Sequence, residues 1–360
     1  MFFFILISAY NWNCENCWII QMMRQQEVIR MKIMDCTLRD GANVVGAGFS
    51  KELTRLMLEG LIASHVDTIE MGHCTGLGSM KHGGKKAPVT DEEYLDVMAP
   101  YAKKAHIGMF QAAANADEEL IALAKAKGLS FLRVGINASD GKKAEKAVKM
   151  VRKAGLEAKF SLMKAYVSTP AELAEEAKML ESFGAQAITI MDSAGYMFPD
   201  QAAAYTDALV HAVSVPVGFH GHSNMGLAIA NALAAEKAGA SFIDCGLMGM
   251  ARSAGNIQTE VAIAAFQREG KAAEYPLYTL LDFINEKLMP AMEKEGYHNP
   301  LKPIDLILGM SGCHSSFVPV YKEVAAAKGV NLYELIVETS RINRKNPDRA
   351  LMEKVADSLK

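Results

Sequence analysis

The chain has 360 residues, half of them hydrophobic and 22% charged, with a net charge of −3. That length exceeds one ordinary core, so a large barrel or two domains are expected. The balanced charge excludes a nucleic-acid-binding surface and a long disordered tail.

The first thirty residues look foreign to the rest. MFFFILISAY is apolar for about eight residues, far short of the roughly 20 that cross a bilayer. It has neither a basic leading region nor a small-residue cleavage site. Residues 1–30 are therefore read as an upstream-start extension or a disordered arm, with an N-terminal membrane anchor as the alternative. Cys14 and Cys17 make a CxxC there, but no second pair completes a zinc site. The six cysteines (14, 17, 36, 74, 245 and 313) form no disulfide framework, which fits a reducing cytoplasm.

From Met31 short apolar strands alternate with amphipathic helices. Strands are predicted over 32–36, 66–71, 106–110, 131–136, 157–162, 186–191, 215–220 and 241–246. Helices are predicted over 51–64, 91–103, 117–127, 141–154, 171–183, 200–212 and 226–238. Ser50, Thr90 and Ser168 with Pro170 open several of them, and Gly128, Gly155, Gly184 and Gly239 close several. A βα repeat of this spacing over residues 31–270 predicts a (β/α)₈ TIM barrel. A doubly wound sheet competes, but GANVVGAG (41–48) does not match GxGxxG. Past residue 270 the rhythm changes: helices over 277–297, 315–328, 331–343 and 347–359 predict a mostly helical C-terminal domain, 271–360.

A barrel carries its chemistry at the C-terminal strand ends, and polar residues collect there. Arg39 and Asp40 follow the first strand, Glu70 and His73 the second, Lys164 the fifth, Asp192 and Ser193 the sixth. His220 and His222 end the seventh, and Asn256 lies beyond the eighth. Side chains two apart on a strand point the same way, so His220 and His222 face one space. A shared divalent metal would order such a pair; ordinary polar lining is the other reading. The basic KHGGKK, 81–86, reads as a solvated loop over the barrel mouth that could act as a lid.

DCTLRDG after the first strand, HGHSN at the seventh and GMARSAGN after the eighth together resemble the DRE-TIM metallolyase superfamily. Within it, the stretch from LYTLLDF through GMSGCHSSFVPVYKEVAAAKGVNLYELIVE is similar to the communication domain of the 4-hydroxy-2-oxovalerate aldolases. The resemblance implies a divalent-metal-dependent lyase that cleaves a 4-hydroxy-2-oxo acid into pyruvate and an aldehyde through a metal-bound enolate. It implies Asp40, His220 and His222 as metal ligands, with Asn256 either a fourth ligand or loop support. Mn²⁺ suits this mixed nitrogen and oxygen set, with Mg²⁺ and Co²⁺ as alternatives. Arg39 is expected to steady the enolate, Ser193 to bind the substrate carboxylate, and Asn224 to orient an imidazole or Arg39. Glu70 is expected to pair with Arg39. The implied partner is an acylating aldehyde dehydrogenase docked on the C-terminal domain of an oligomer; no nucleic acid or membrane partner is expected.

One position departs from the pattern. These aldolases carry a histidine base three residues after the motif aspartate, where this chain has Asn43. A carboxamide cannot take a proton near neutral pH. His314, where the family has a tyrosine, or His73 is the expected substitute base. The alternatives are another carbon–carbon lyase or acyl-CoA-dependent synthase acting on a 2-oxo acid, or a non-catalytic subunit that binds a dehydrogenase.

Overall fold

The computed structural model describes residues 31–297 and 303–360. The expectations for residues 1–30, the CxxC among them, lie outside the described residues. Met31–Lys360 forms one compact unit.

Eight strands close into a barrel in sequence order: β1 Lys32–Asp35, β2 Thr68–Met71, β3 His106–Ala112, β4 Phe131–Asn137, β5 Glu157–Met163, β6 Ala187–Asp192, β7 Val217–Gly221 and β8 Phe242–Cys245. Every pairing is parallel, and β8 closes onto β1 with Asp35 opposite Cys245. The predicted TIM barrel is therefore the fold.

Alternation sends every second residue inward. Met34, Phe131, Ala187 and Phe242 form an apolar plug in the barrel. The next inward positions along these strands are polar: Cys36, Arg133, Thr189 and Asp244, each buried. Apolar packing therefore fills one end of the barrel and a charged network the section beneath its mouth.

The helices follow from local chemistry. Ser50 Oγ accepts the Leu53 N–H at 3.2 Å to start Lys51–Ala63. Thr90 with Glu93 makes a capping box before Asp91–Met98. Pro170–Phe183 opens on a second capping box, Thr169 with Glu172, so the cap is Thr169 and not Ser168. Each such cap contributes on the order of 1 kcal/mol. The eighth barrel helix, Thr259–Arg268, is one the sequence pattern did not disclose; its N-cap Gln258 supplies no side-chain cap.

Leu280, Phe283, Ile284, Leu288 and Met292 pack into the barrel's own apolar core. They lie on Leu277–Phe283, a π turn at Ile284–Leu288, and Met289–Lys294. A second core joins Leu308, Tyr321, Val324, Leu335, Ile336, Met352 and Val355. Its helices are Pro303–Ser311, Val318–Lys328, Leu332–Ile342 and Arg349–Ser358. The first of these was also hidden in the sequence, because Pro303 and Gly309 read there as turn signals. Among the described residues no helix is long and apolar enough to cross a membrane.

Candidate metal centre and substrate cavity

Asp40, His220 and His222 converge at the barrel mouth. Asp40 Oδ2 lies 3.5 Å from His220 Nε2 and 3.8 Å from His222 Nε2. One ligand atom from each fits within 4.8 Å of the others, and all three residues are buried. Asp40 stands where the turn after β1 tightens into the short helix Gly41–Val45, and both histidines come from the end of β7. Asn256 is bridged to His222 through the backbone and donates from Nδ2 to Asp40 Oδ2 at 3.0 Å. Asn43 donates to the Asp40 carbonyl (2.8 Å) and to its Oδ1 (3.2 Å). The residue at the position of the family base thus braces the carboxylate.

His220 Nε2, His222 Nδ1 and Asn256 Oδ1 are buried and without a hydrogen-bond partner. Leaving such groups unmatched is costly. A cation would use the His220 and Asn256 lone pairs, so this donor set fits a divalent metal. His220 Nδ1 sits 3.0 Å from Asp244 Oδ2; donating its proton there leaves Nε2 as a lone pair facing Asp40, an arrangement typical of metal-binding histidines. Burial would raise the Asp40 carboxyl, but Arg39 and the two imidazoles outweigh it and hold Asp40 well below the usual carboxylate range. Burial lowers His222 to about 3, so its ring is neutral and able to ligate.

Beneath this centre lies a buried network of which only the Arg39–Glu70 pair was expected. Arg133, wholly buried, donates from Nε to Glu70 Oε2 at 2.5 Å and from NH2 to Glu70 Oε1 at 2.7 Å. Its NH1 binds Asp244. Arg39 Nε meets Glu70 Oε1 at 2.6 Å, as expected for Glu70, and Arg39 NH1 lies 3.1 Å from Asp40 Oδ1. Charge therefore alternates from Asp40 through Arg39, Glu70 and Arg133 to Asp244, which holds His220. Period-two alternation alone would have placed Arg133 and Asp244 on the barrel's inner face; only closure of the barrel shows that they meet.

A cavity of about 300 Å³ opens above the centre. Arg39, Asp40, His220, His222, Ser193 and His314 all line it. Buried Arg39 NH2 has no partner among the described residues, and the Arg39 guanidinium stacks 5.1 Å from the Phe110 ring centroid. Ser193 Oγ accepts the Lys164 backbone N–H at 2.9 Å, which keeps its own proton available for donation. Gly195 lets the loop after β6 lie against β7: its φ is +58°, and a Cβ there would come within 2.6 Å of the His222 carbonyl oxygen.

His314 reaches the cavity from the C-terminal helical segment. Its Nδ1 accepts the Ser316 backbone N–H at 3.2 Å and lies 2.8 Å from Ser316 Oγ. Burial, with Arg252 and Lys164 nearby, holds the ring well below the usual histidine range. His73 is not brought to the cavity. Its Nε2 bonds the Lys85 carbonyl at 2.7 Å and its Nδ1 accepts the Thr75 N–H at 3.1 Å, so both nitrogens are taken. Asn224 reaches neither an imidazole nor Arg39. It donates to Ser253 Oγ at 2.7 Å, and a Cβ at Gly309 would stand 2.6 Å from its own Cβ, so Asn224 seats the helix Pro303–Ser311.

The HMGL-like family profile matches residues 30–286. A 4-hydroxy-2-oxovalerate aldolase of Carboxydothermus hydrogenoformans is 34% identical over 87% of this chain and 92% of its own length. One from Streptomyces griseus subsp. griseus is 36% identical over 86% of this chain and 90% of its own. The carboxyl transferase domain of Rhizobium etli pyruvate carboxylase superposes with a TM-score of 0.73 at 16% identity, over 94% of this chain and 62% of that one, a likeness of fold.

Proposed function

The chain belongs to the HMGL-like family, alongside the 4-hydroxy-2-oxovalerate aldolases, and from that premise we propose that it is a carbon–carbon lyase cleaving a 4-hydroxy-2-oxo acid to pyruvate and an aldehyde. The observation that carries this reading is the set of buried, unmatched donor atoms around Asp40, in a cavity shared with Arg39, Ser193 and His314. Asp40, His220 and His222 would hold a divalent ion, Mn²⁺ in preference to Mg²⁺ or Co²⁺, with Asn256 Oδ1 as a further oxygen. The ion supplies Lewis-acid polarisation of the C2 carbonyl when bound.

The remaining work falls to the chain's own side chains. Arg39 NH2, the unmatched donor, meets negative charge developing on the C2 oxygen. Ser193 donates its hydroxyl proton to the substrate carboxylate. His314 is the group assigned to take the C4 hydroxyl proton: its Nδ1 accepts the Ser316 N–H, so the neutral ring takes that proton on Nδ1 once this bond is released, or on Nε2 after tautomer exchange. As the C3–C4 bond breaks, its electron pair becomes the C2–C3 double bond and the C4 oxygen becomes the aldehyde carbonyl. A proton then adds to C3 to give pyruvate.

The helical segment 271–360 is the docking unit for an acylating aldehyde dehydrogenase and for assembly into an oligomer in the cytoplasm; the exposed Tyr278, Leu281 and Met289 support an interface there. The test is pyruvate release from racemic 4-hydroxy-2-oxopentanoate with Mn²⁺ and then with excess EDTA. Release that EDTA abolishes is expected. Silence with Mn²⁺ demonstrably bound, or turnover indifferent to EDTA, overturns the reading.

A further inference from the structure

The cavity holds more positive charge than the proposed chemistry uses. The buried arginines Arg39 and Arg133 are matched by Asp40, Glu70 and Asp244. Arg252 and Lys164, which line the same cavity, are not matched in this way. Among the described residues the only carboxylate within ion-pair reach of Arg252 is Asp40 at 3.9 Å, and its guanidinium makes no hydrogen bond there. Lys164 is 8% exposed, yet among the described residues its Nζ meets only neutral groups: Lys345 O at 2.8 Å, Asn346 Oδ1 at 3.3 Å and the Phe317 ring, 5.2 Å to its centroid. Burial, with Lys345 beside it, lowers the amine to about 8, the mark of a cation without a compensating anion.

The backbone also holds Lys164 in place. Its φ of +54° and ψ of +42° put a non-glycine residue in the left-handed region, where strain tends to serve a function. Arg252, Lys164 and His314 all line this one cavity, and both cations act electrostatically on the His314 ring. Asn137 and Ser316 add neutral hydrogen-bonding groups to the lining. A cavity of about 300 Å³ equals roughly ten waters' worth of space, which leaves room beyond a pyruvate fragment.

We propose that Arg252, Lys164 and His314 form a second anion subsite in the cavity, and that the aldehyde half of the substrate carries a carboxylate or a phosphate. The inference rests on the lyase reading for which fragment lies there. An incoming anion restores the charge balance that the fold leaves open, and Arg252 offers it a planar pair of donors.

The test is binding, measured without turnover. Titration calorimetry on the Mn²⁺-loaded chain compares 2-oxohexanoate with 2-oxoadipate, which differ only in a terminal methyl against a carboxylate, and with 2-oxo-5-phosphonopentanoate. None has a C4 hydroxyl, so none can be cleaved. Either dianion is expected to bind at least tenfold more tightly than 2-oxohexanoate, and the stronger of the two identifies the anion class. In Lys164→Met and in Arg252→Gln the preference should fall towards unity; the second variant keeps the test open if the first does not fold. Equal affinities in the unsubstituted chain, a preference unchanged in both variants, or no binding of any of the three compounds overturns the subsite. A retained preference without pyruvate release from any hydroxy-oxo acid would refute the lyase reading and leave the subsite standing.

Discussion

Replacing Arg133 by methionine removes the charge at the middle of the barrel network while filling much of its volume. The side chain is wholly buried between Glu70 and Asp244 and spends its donors on both carboxylates and on Cys36 Sγ at 3.2 Å. At the effective dielectric suited to buried pairs each contact is worth about 4 kcal/mol in gross Coulomb energy. Desolvation offsets part of that, and truncating one partner of a buried pair costs about 3–5 kcal/mol, because the other charge is left uncompensated. In a chain of this size the loss should lower Tm by roughly 4–7 °C.

The sign of its pH dependence is fixed. Burial pushes Glu70 and Asp244 upward, and Arg133 is the largest influence holding both below their usual values. Their folded-state pKa values are depressed, so their contribution is present above the unfolded pKa and lost as pH falls through the folded one. Without Arg133 both carboxyls take protons at higher pH, which relieves the unpaired charge. Urea unfolding at pH 8.0 and 5.5 should show a deficit of about 3–5 kcal/mol at the higher pH and a smaller one at the lower. A deficit under about 1 kcal/mol, or one equal at both pH values, would refute the reasoning.

Asp244→Asn should weaken Mn²⁺ binding about 10–100-fold, the usual consequence of losing the group that orients a metal-bound histidine, as read by competition with a chelating dye; unchanged affinity would remove Asp244 from that role. His220→Ala should abolish both metal binding and metal-dependent turnover, and undiminished turnover would sink the proposed centre. His314→Gln should flatten the dependence of kcat on pH, whereas a variant with the original profile would return proton transfer to water. Burial raises Glu260 to about 7, so between its unfolded value and that pH the folded state keeps a proton the unfolded chain has lost, and stability falls as pH rises through the window. Glu260→Gln should therefore stabilise the fold by about 3 kcal/mol at pH 8 and leave it nearly unchanged near pH 4.5; equal effects at both would contradict the assignment. Gly108→Ala would drive a methyl to within 2.3 Å of the Phe131 ring, and a loss of about 1–3 kcal/mol is expected by thermal melting.

The barrel was legible in the sequence because its signals are local. A strand of the β4 type, buried on both faces from Phe131 to Gly135, reads as a short, largely apolar run, and caps such as Ser50 or the Thr90–Glu93 box act within one turn of chain. The shared orientation of His220 and His222 is equally local, fixed by the pleat two residues apart. Two helices escaped for the same reason: Thr259–Arg268 opens without a side-chain cap, and Pro303–Ser311 carries residues that read as turns.

Partner choice across the barrel was not local. His73 and His314 look alike as candidate bases in the sequence, and nothing within a few residues says that Lys85 and Thr75 occupy both nitrogens of one ring while the other reaches the cavity from a helical segment far along the chain. Arg133, between Glu70 and Asp244, lies 63 and 111 residues from them. Sequence determined which side chains point inward, through backbone periodicity. Only tertiary closure decided which of them touch, because the energy of a buried charge depends on what lies within a few ångströms in space, whatever the distance along the chain.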